Sequence, residues 1–166
     1  MKVTSKGIIN GIIQDRFGKR GPLDEYGIPM CSLPLKIKDA PKKTKSYAIF
    51  LEDKDAIPVS GGFSWIHWVA ANITEKEVPE NASRTLDNIV QGLNSWISIQ
   101  GGQKPKEACR YYGGMTPPDK AHIYEIHVYA LDCLVDLKNG FYANELFRKM
   151  DGHILDEYTL KGIYEA

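Results

Sequence analysis

Short apolar runs of alternating polarity, broken by glycine and proline, dominate the chain and predict strands far more often than helices. Ser46 to Asp55 reads as a strand that places Tyr47, Ile49 and Leu51 on one face by the two-residue period of extended chain. The same face continues into Asp53 and Asp55, just past its apolar part. Phe63 to Ile73 reads as a second strand, with Trp65, His67, Val69 and Ala71 on one side and Ile66, Trp68 and Ala70 on the other. His122 to Asp132 is the third, with His122, Tyr124, Ile126, Val128 and Ala130 aligned. Both faces of the last two are largely apolar, as expected of strands central to a two-layer core.

Helical signals are few. Asn144 is placed to cap a short helix carrying Leu146, Phe147 and Met150, stopped by Gly152 at a left-handed position. Asn81 or Ser83 opens another turn, and loops are expected over 7–26 and 101–120. With 15 Gly and 9 Pro spread through the chain and no internal repeat, the pattern predicts one all-β domain over residues 1–166, mainly β and antiparallel.

Composition narrows the function. The 166 residues suffice to bury about two-thirds of the unfolded surface without staples. Lys plus Arg equals Asp plus Glu at 21 each, so the strongly basic footprint of a nucleic-acid binder is missing. The run Lys42, Lys43, Lys45 reads as a solvated turn. No apolar stretch is long enough to span a bilayer as an integral membrane segment, and the first residues lack the apolar core of a signal peptide. Cys31, Cys109 and Cys133 are odd in number and form no CxxC pair, so they read as apolar filler in a cytoplasmic protein.

Polar residues on otherwise apolar strand faces carry the chemistry, because a buried polar group without a partner costs about 1–3 kcal/mol. Asp53, His67, His122 and Tyr124 are such residues. Two arrangements are open from the residues alone: each histidine satisfied separately, or all four gathered into one cluster in which a carboxylate fixes an imidazole tautomer and leaves Nε2 aimed at a ligand. The loop from Tyr111 to Tyr124, with paired glycines followed by paired prolines, is built to approach closely at one end and stay stiff at the other. It matches no phosphate-binding GxxxxGK[ST] pattern. HxH and HExxH spacings are absent, as is a nucleophile elbow, so no catalytic or metal-ligating residue and no cofactor is assigned. His127 falls on the face opposite His122 and reads as structural or surface. His153 follows the helix-stopping glycine and secures a turn.

In this order the motifs resemble the phosphatidylethanolamine-binding protein family, also called Raf-kinase-inhibitor-like proteins, in its compact bacterial and archaeal branch. Asp53-Lys54-Asp55-Ala56-Ile57-Pro58 resembles the family's Asp-Pro-Asp-x-Pro run, and His67-Trp68 its His-Trp pair. Tyr112 to Tyr124 resembles its Tyr-x-Gly-Pro-x-Pro-Pro…His-x-Tyr signature, Gly152-His153-Ile154-Leu155 and Gly162-Ile163-Tyr164 its C-terminal one, and Asn94-Ser95-Trp96 a further segment.

The resemblance implies an antiparallel β-sandwich with Greek-key connections, a few short helices and one cavity for phosphate-like anions or phospholipid head groups. Carried over by position, Asp53, Asp55, Trp65, His67, Tyr112, Thr116, His122 and Tyr124 line it, with Trp65 as an apolar wall and the Thr116 amide as a donor. The expected function is non-enzymatic binding of a small anionic or phosphorylated ligand. Two rivals stand beside it: inhibition of a kinase or protease partner through the pocket rim, and metal- or acid/base-dependent hydrolysis. Pairing of two copies through an exposed edge is a further expectation. Departures at Lys54, Met115, Lys120 and Ile123 imply a looser loop and, at Met115 and Lys120, an altered rim.

Overall fold

The computed structural model describes all 166 residues. Ten strands form two sheets. β1 (Lys2–Thr4), β4 (Leu35–Lys38) and β7 (Glu77–Val78) make a three-stranded antiparallel sheet in the order β1-β4-β7. The larger sheet holds β2 (Ile8–Ile9), β3 (Ile12–Ile13), β5 (Ser46–Asp53), β6 (Trp65–Ile73), β8 (Val90–Gln91), β9 (His122–Leu131) and β10 (Ile154–Tyr164), in the order β2-β3-β10-β9-β5-β6-β8. All its pairs are antiparallel except β3 with β10, joined in parallel at Ile12 and Ile163. The helices α1 (Ile57–Ser60), α2 (Ala82–Thr85) and α3 (Lys106–Cys109) are single turns, and α4 (Ala143–Met150) is the longest. None is long and apolar enough to cross a membrane.

Each face of the large sheet buries its own apolar cluster. Tyr47, Ile49 and Leu51 of β5 and Tyr124, Ile126, Val128 and Ala130 of β9 share the inner cluster with Val3, Leu35, Ile37 and Val78 of the small sheet. Ala48 and Phe50 point the other way, under Ala143, Leu146 and Met150 of α4. Burying side chains of this size stabilises by about 1.5–3 kcal/mol each. The register of β5 and β9 is therefore held firmly, since a slip of one residue would exchange the two faces.

β6 departs from the alternation predicted for it. Leu51 pairs with Trp68 but Glu52 pairs with Ile66, which leaves His67 as the extra residue of a bulge. A second irregularity spans Ala70 to Ile73, where Asn72 takes φ 62°. The consequence is visible in the packing. Trp68, Ala70 and Ile73 lie in the inner cluster, whereas Val69 and Ala71 lie in the outer one. The single face expected for Trp65, His67, Val69 and Ala71 thus breaks after His67.

Three further expectations need correction. β10 was not foreseen, because its charged residues mask a real alternation: Tyr158, Leu160 and Tyr164 pack inward while Glu157 and Lys161 stay exposed. The 7–26 stretch holds β2 and β3 rather than loop alone, and 101–120 holds α3. Asn144 lies inside α4, whose cap is instead Tyr142, its N–H donating to the Glu145 carboxylate at 2.8 Å. Gly152 does take the left-handed conformation, at φ 77°.

Candidate functional site

Strand register delivers the polar ends to one place. Asp53, the last residue of β5, lies across from Tyr124 of β9 on one side and Trp65 of β6 on the other. His122 opens β9, and His67 is the bulge residue of β6. Asp53, Trp65, His67 and His122 bound a cavity of about 230 Å³, partly open to solvent, whereas Tyr124, expected on its lining, is fully buried and does not reach it. Asp53, His67 and His122 form its floor and are at most 3% exposed. Trp65 and Trp96 form an edge-to-face pair at 5.7 Å along one wall, buried Ser60 lines it as well, and Thr116 and Pro118 are its more exposed lining residues.

The two imidazoles are held in opposite ways. His122 Nδ1 lies 2.7 Å from an Asp53 oxygen and Nε2 lies 2.9 Å from Asp119. Burial alone lowers its pKa, but the two carboxylates outweigh that and hold it above the ordinary value, favouring an imidazolium that donates from both nitrogens. His67 Nδ1 donates to the Gly113 carbonyl at 2.5 Å, and the Gly113 N–H donates back to the His67 carbonyl at 2.8 Å. Desolvation pushes His67 below its ordinary value despite the nearby Asp53 charge. His67 is therefore neutral near pH 7, and its buried Nε2 presents a lone pair with no partner.

Tyr124 sits between the two, its ring 5.2 Å from His67 and 6.5 Å from His122. Its hydroxyl is buried and unpartnered, and burial drives the phenol far from ionisation. The Thr116 backbone lies near that oxygen and offsets a small part of the shift. The indole nitrogens of Trp65 and Trp96 also lack partners. Two indole donors and one imidazole acceptor on residues that line the cavity are thus unsatisfied, and the Tyr124 hydroxyl is a further one among the buried neighbours. No lysine or arginine lines it.

Glycines hold the loop against this floor. A Cβ on Gly113 would fall 2.7 Å from the Trp96 ring, and one on Gly114 would run into the Phe17 carbonyl oxygen. Only bare backbone fits there, which explains the paired glycines.

Not every expected residue reaches the cavity. Tyr112 is fully buried, its hydroxyl donating to the Phe17 carbonyl at 2.6 Å. The Asp55 carboxylate accepts from the Ile123 N–H at 2.8 Å and so ties the start of β9. His122 Nε2 faces Asp119 rather than open space. Met115 is entirely buried and shapes the core, not the rim, while Lys120 is exposed. Lys54 pairs with Glu125 at 2.6 Å. His127 bonds Glu52 and Thr159 on the opposite face, and His153 bonds Asp132. Asp119, Trp96, Ser60 and Gln100 carried no role in the sequence analysis. Two had a signal: Trp96 within the Asn94-Ser95-Trp96 segment, and Asp119 three residues before His122 in a proline-stiffened loop.

A family model described as phosphatidylethanolamine-binding protein matches residues 3–165. The chain belongs to this family. Relatives of the chain include YxkA of Bacillus subtilis (strain 168), an uncharacterized protein 42% identical over 158 residues, 92% of this chain and 93% of its own. A UPF0098 protein of Chlamydia trachomatis is 33% identical over 81% of this chain and 82% of its own. Among solved structures, CT736 of Chlamydia trachomatis, described as a homologue of the same family, superposes with a TM-score of 0.78 at 30% identity, covering 99% of this chain and 96% of that one. YbcL of E. coli reaches 0.75 at 24% identity, a likeness of fold.

The opposed environments of the two imidazoles make a pH prediction. Histidine in unfolded chain titrates near 6.5. In a nitrogen-15 NMR titration, His122 is expected to titrate above that value and His67 below it. Equal midpoints for the two would contradict the arrangement. The stability contribution from His122 is full below pH 6.5 and is lost as pH rises through its folded pKa. That from neutral His67 is present above 6.5 and is lost on acidification.

Proposed function

We propose that this protein is a non-enzymatic binding protein whose cavity takes a phosphate-like oxyanion, free or carried by a phosphorylated small molecule or phospholipid head group. Family membership supports a binding-type protein. The observation that carries the finer reading is the set of unsatisfied polar atoms on lining residues: Trp65 Nε1, Trp96 Nε1 and His67 Nε2. Two donors and one acceptor complement a ligand with several acceptor oxygens and one remaining O–H, which is the inventory of a hydrogen phosphate. Charge is supplied by the His122 imidazolium, although Asp53 and Asp119 offset it, so selectivity rests on directed hydrogen bonds more than on net charge.

Chemistry at the site argues against catalysis. An imidazolium clamped by two carboxylates is a poor base. The Ser60 hydroxyl donates to the Phe63 carbonyl at 2.5 Å and accepts from the Phe63 N–H at 3.0 Å, which commits it to the turn after α1. A cytoplasmic setting belongs to the same reading, since all three cysteines are free thiols. So does a sandwich in which the small and large sheets enclose the inner cluster.

The test is isothermal titration of the full chain with inorganic phosphate and with phosphoethanolamine. Wild type is expected to bind both, and His122→Ala to weaken binding at least about tenfold, because it removes the imidazolium and leaves the Asp53 and Asp119 carboxylates uncompensated beside the anion. Equal affinities in the two proteins would remove the cavity from consideration. If phosphate fails and only a protein from the same cell binds the rim, the inhibitor reading takes its place.

A further inference from the structure

A second cluster of ligating side chains lies at the far end of the β9–β10 pair from the cavity. Just past the end of β9, Asp132 and Cys133 are consecutive, and His153 directly precedes β10. The Asp132 N–H donates to the His153 carbonyl at 3.2 Å, so the backbones are clipped together. One ligand atom from each of Asp132, Cys133 and His153 lies within 4.8 Å of the others. Asp132 and Cys133 are half-buried and His153 is exposed, so the three are reachable from solvent. Asp132 Oδ1 already sits 2.8 Å from His153 Nδ1.

We propose that Asp132, Cys133 and His153 form a surface site for a zinc-class divalent transition metal, with water as the fourth ligand. The donor set decides the class. A thiolate and an imidazole favour zinc, cobalt or copper over magnesium and calcium, which take oxygen ligands. Three protein ligands plus solvent is the count of an open tetrahedral zinc site. Binding displaces the thiol proton: the Cys133 S–H bond breaks, sulfur keeps the electron pair and forms the bond to the metal, and the proton leaves to solvent.

A second triad, Glu52, Glu125 and His127, has a similar spacing but a different chemistry. Lys54 lies 3.4 Å from Glu52 and 2.6 Å from Glu125, and Lys161 lies 2.7 Å from Glu125. The Ser64 hydroxyl donates to Glu52 as well. Those carboxylates are already neutralised, and the His127 contact brings the Glu52 pKa down to about 2. No such cation holds Asp132. The Asp-Cys-His cluster is the one whose ligands remain free to turn to a metal.

Cobalt(II) added to the full chain under reducing conditions tests this. The expected result is one equivalent bound, with a thiolate-to-cobalt charge-transfer band in the near ultraviolet and the intense visible bands of a four-coordinate ion. Cys133→Ser should abolish the near-ultraviolet band, and His153→Gln should weaken binding at least about tenfold. Cys31→Ser and His127→Gln should leave both unchanged. Because Asp132 and His153 are at the surface, circular dichroism of His153→Gln is expected to match wild type, which keeps its result interpretable should Cys133→Ser unfold. A six-coordinate spectrum without the sulfur band, or a band that survives Cys133→Ser or vanishes in Cys31→Ser, would overturn the site.

Discussion

Phosphate is expected to bind at least about tenfold more tightly than sulfate at pH 7.5, and the gap to close as the pH is lowered toward 5.5. The two anions are nearly identical in size and shape, but hydrogen phosphate carries a proton that sulfate lacks. His67 has its Nδ1–H committed to the Gly113 carbonyl, so the neutral ring meets a ligand with the Nε2 lone pair. In the proposed binding mode phosphate donates its O–H to that lone pair. Sulfate places an oxygen there and leaves two acceptors facing each other in a buried site, at a cost of about 1–3 kcal/mol. Protonation of His67 turns Nε2 into a donor and removes the penalty. Since burial depresses the His67 pKa, that relief comes only below the usual histidine range. Competition titrations of the two anions across pH measure the effect directly. Sulfate binding as well as phosphate at pH 7.5 would mean that His67 does not address the ligand with a bare nitrogen.

Within the loop that clamps His67, a large effect on stability is expected from Gly114→Ala. Its Cβ would collide with the Phe17 carbonyl oxygen, with the Pro29 ring 2.9 Å away. Backbone on that side cannot swing aside, because the Gly114 N–H donates to the Pro29 carbonyl and the Tyr112 hydroxyl donates to the Phe17 carbonyl. Forcing a methyl group into such packing costs about 3 kcal/mol, or some 6–12 °C in melting temperature for a chain of this size. Gly140→Ala is the control. That glycine has φ 90° but open space around it, so only the left-handed strain of about 1–2 kcal/mol applies. Thermal unfolding of both variants ranks the two effects. A milder loss at Gly114 than at Gly140 would show that the 112–116 loop yields, and with it the clamp on His67.

How much of this was legible beforehand depends on the residue. Along β5 and β9 strict alternation over eight to ten residues placed Asp53, His122 and Tyr124 on the inner face, because nothing interrupts the period. In β6 two bulges reset the period, and no local signal announces a bulge at a histidine. Asp119 was hidden for a different reason: an exposed acid in a loop looks solvated until the fold turns it toward an imidazole.

Hydrophobic periodicity and turn chemistry, both local properties, sufficed for the strand-dominated class and the inner faces of β5 and β9, while the family resemblance rested on the residues of its motifs. Everything chemical about the cavity was decided in three dimensions. Hydrogen-bond partners far apart in the chain, Asp53 with His122 and Gly113 with His67, settle which imidazole is charged and which nitrogen is left bare. Protonation follows from burial and neighbours, quantities that do not exist until the chain has folded.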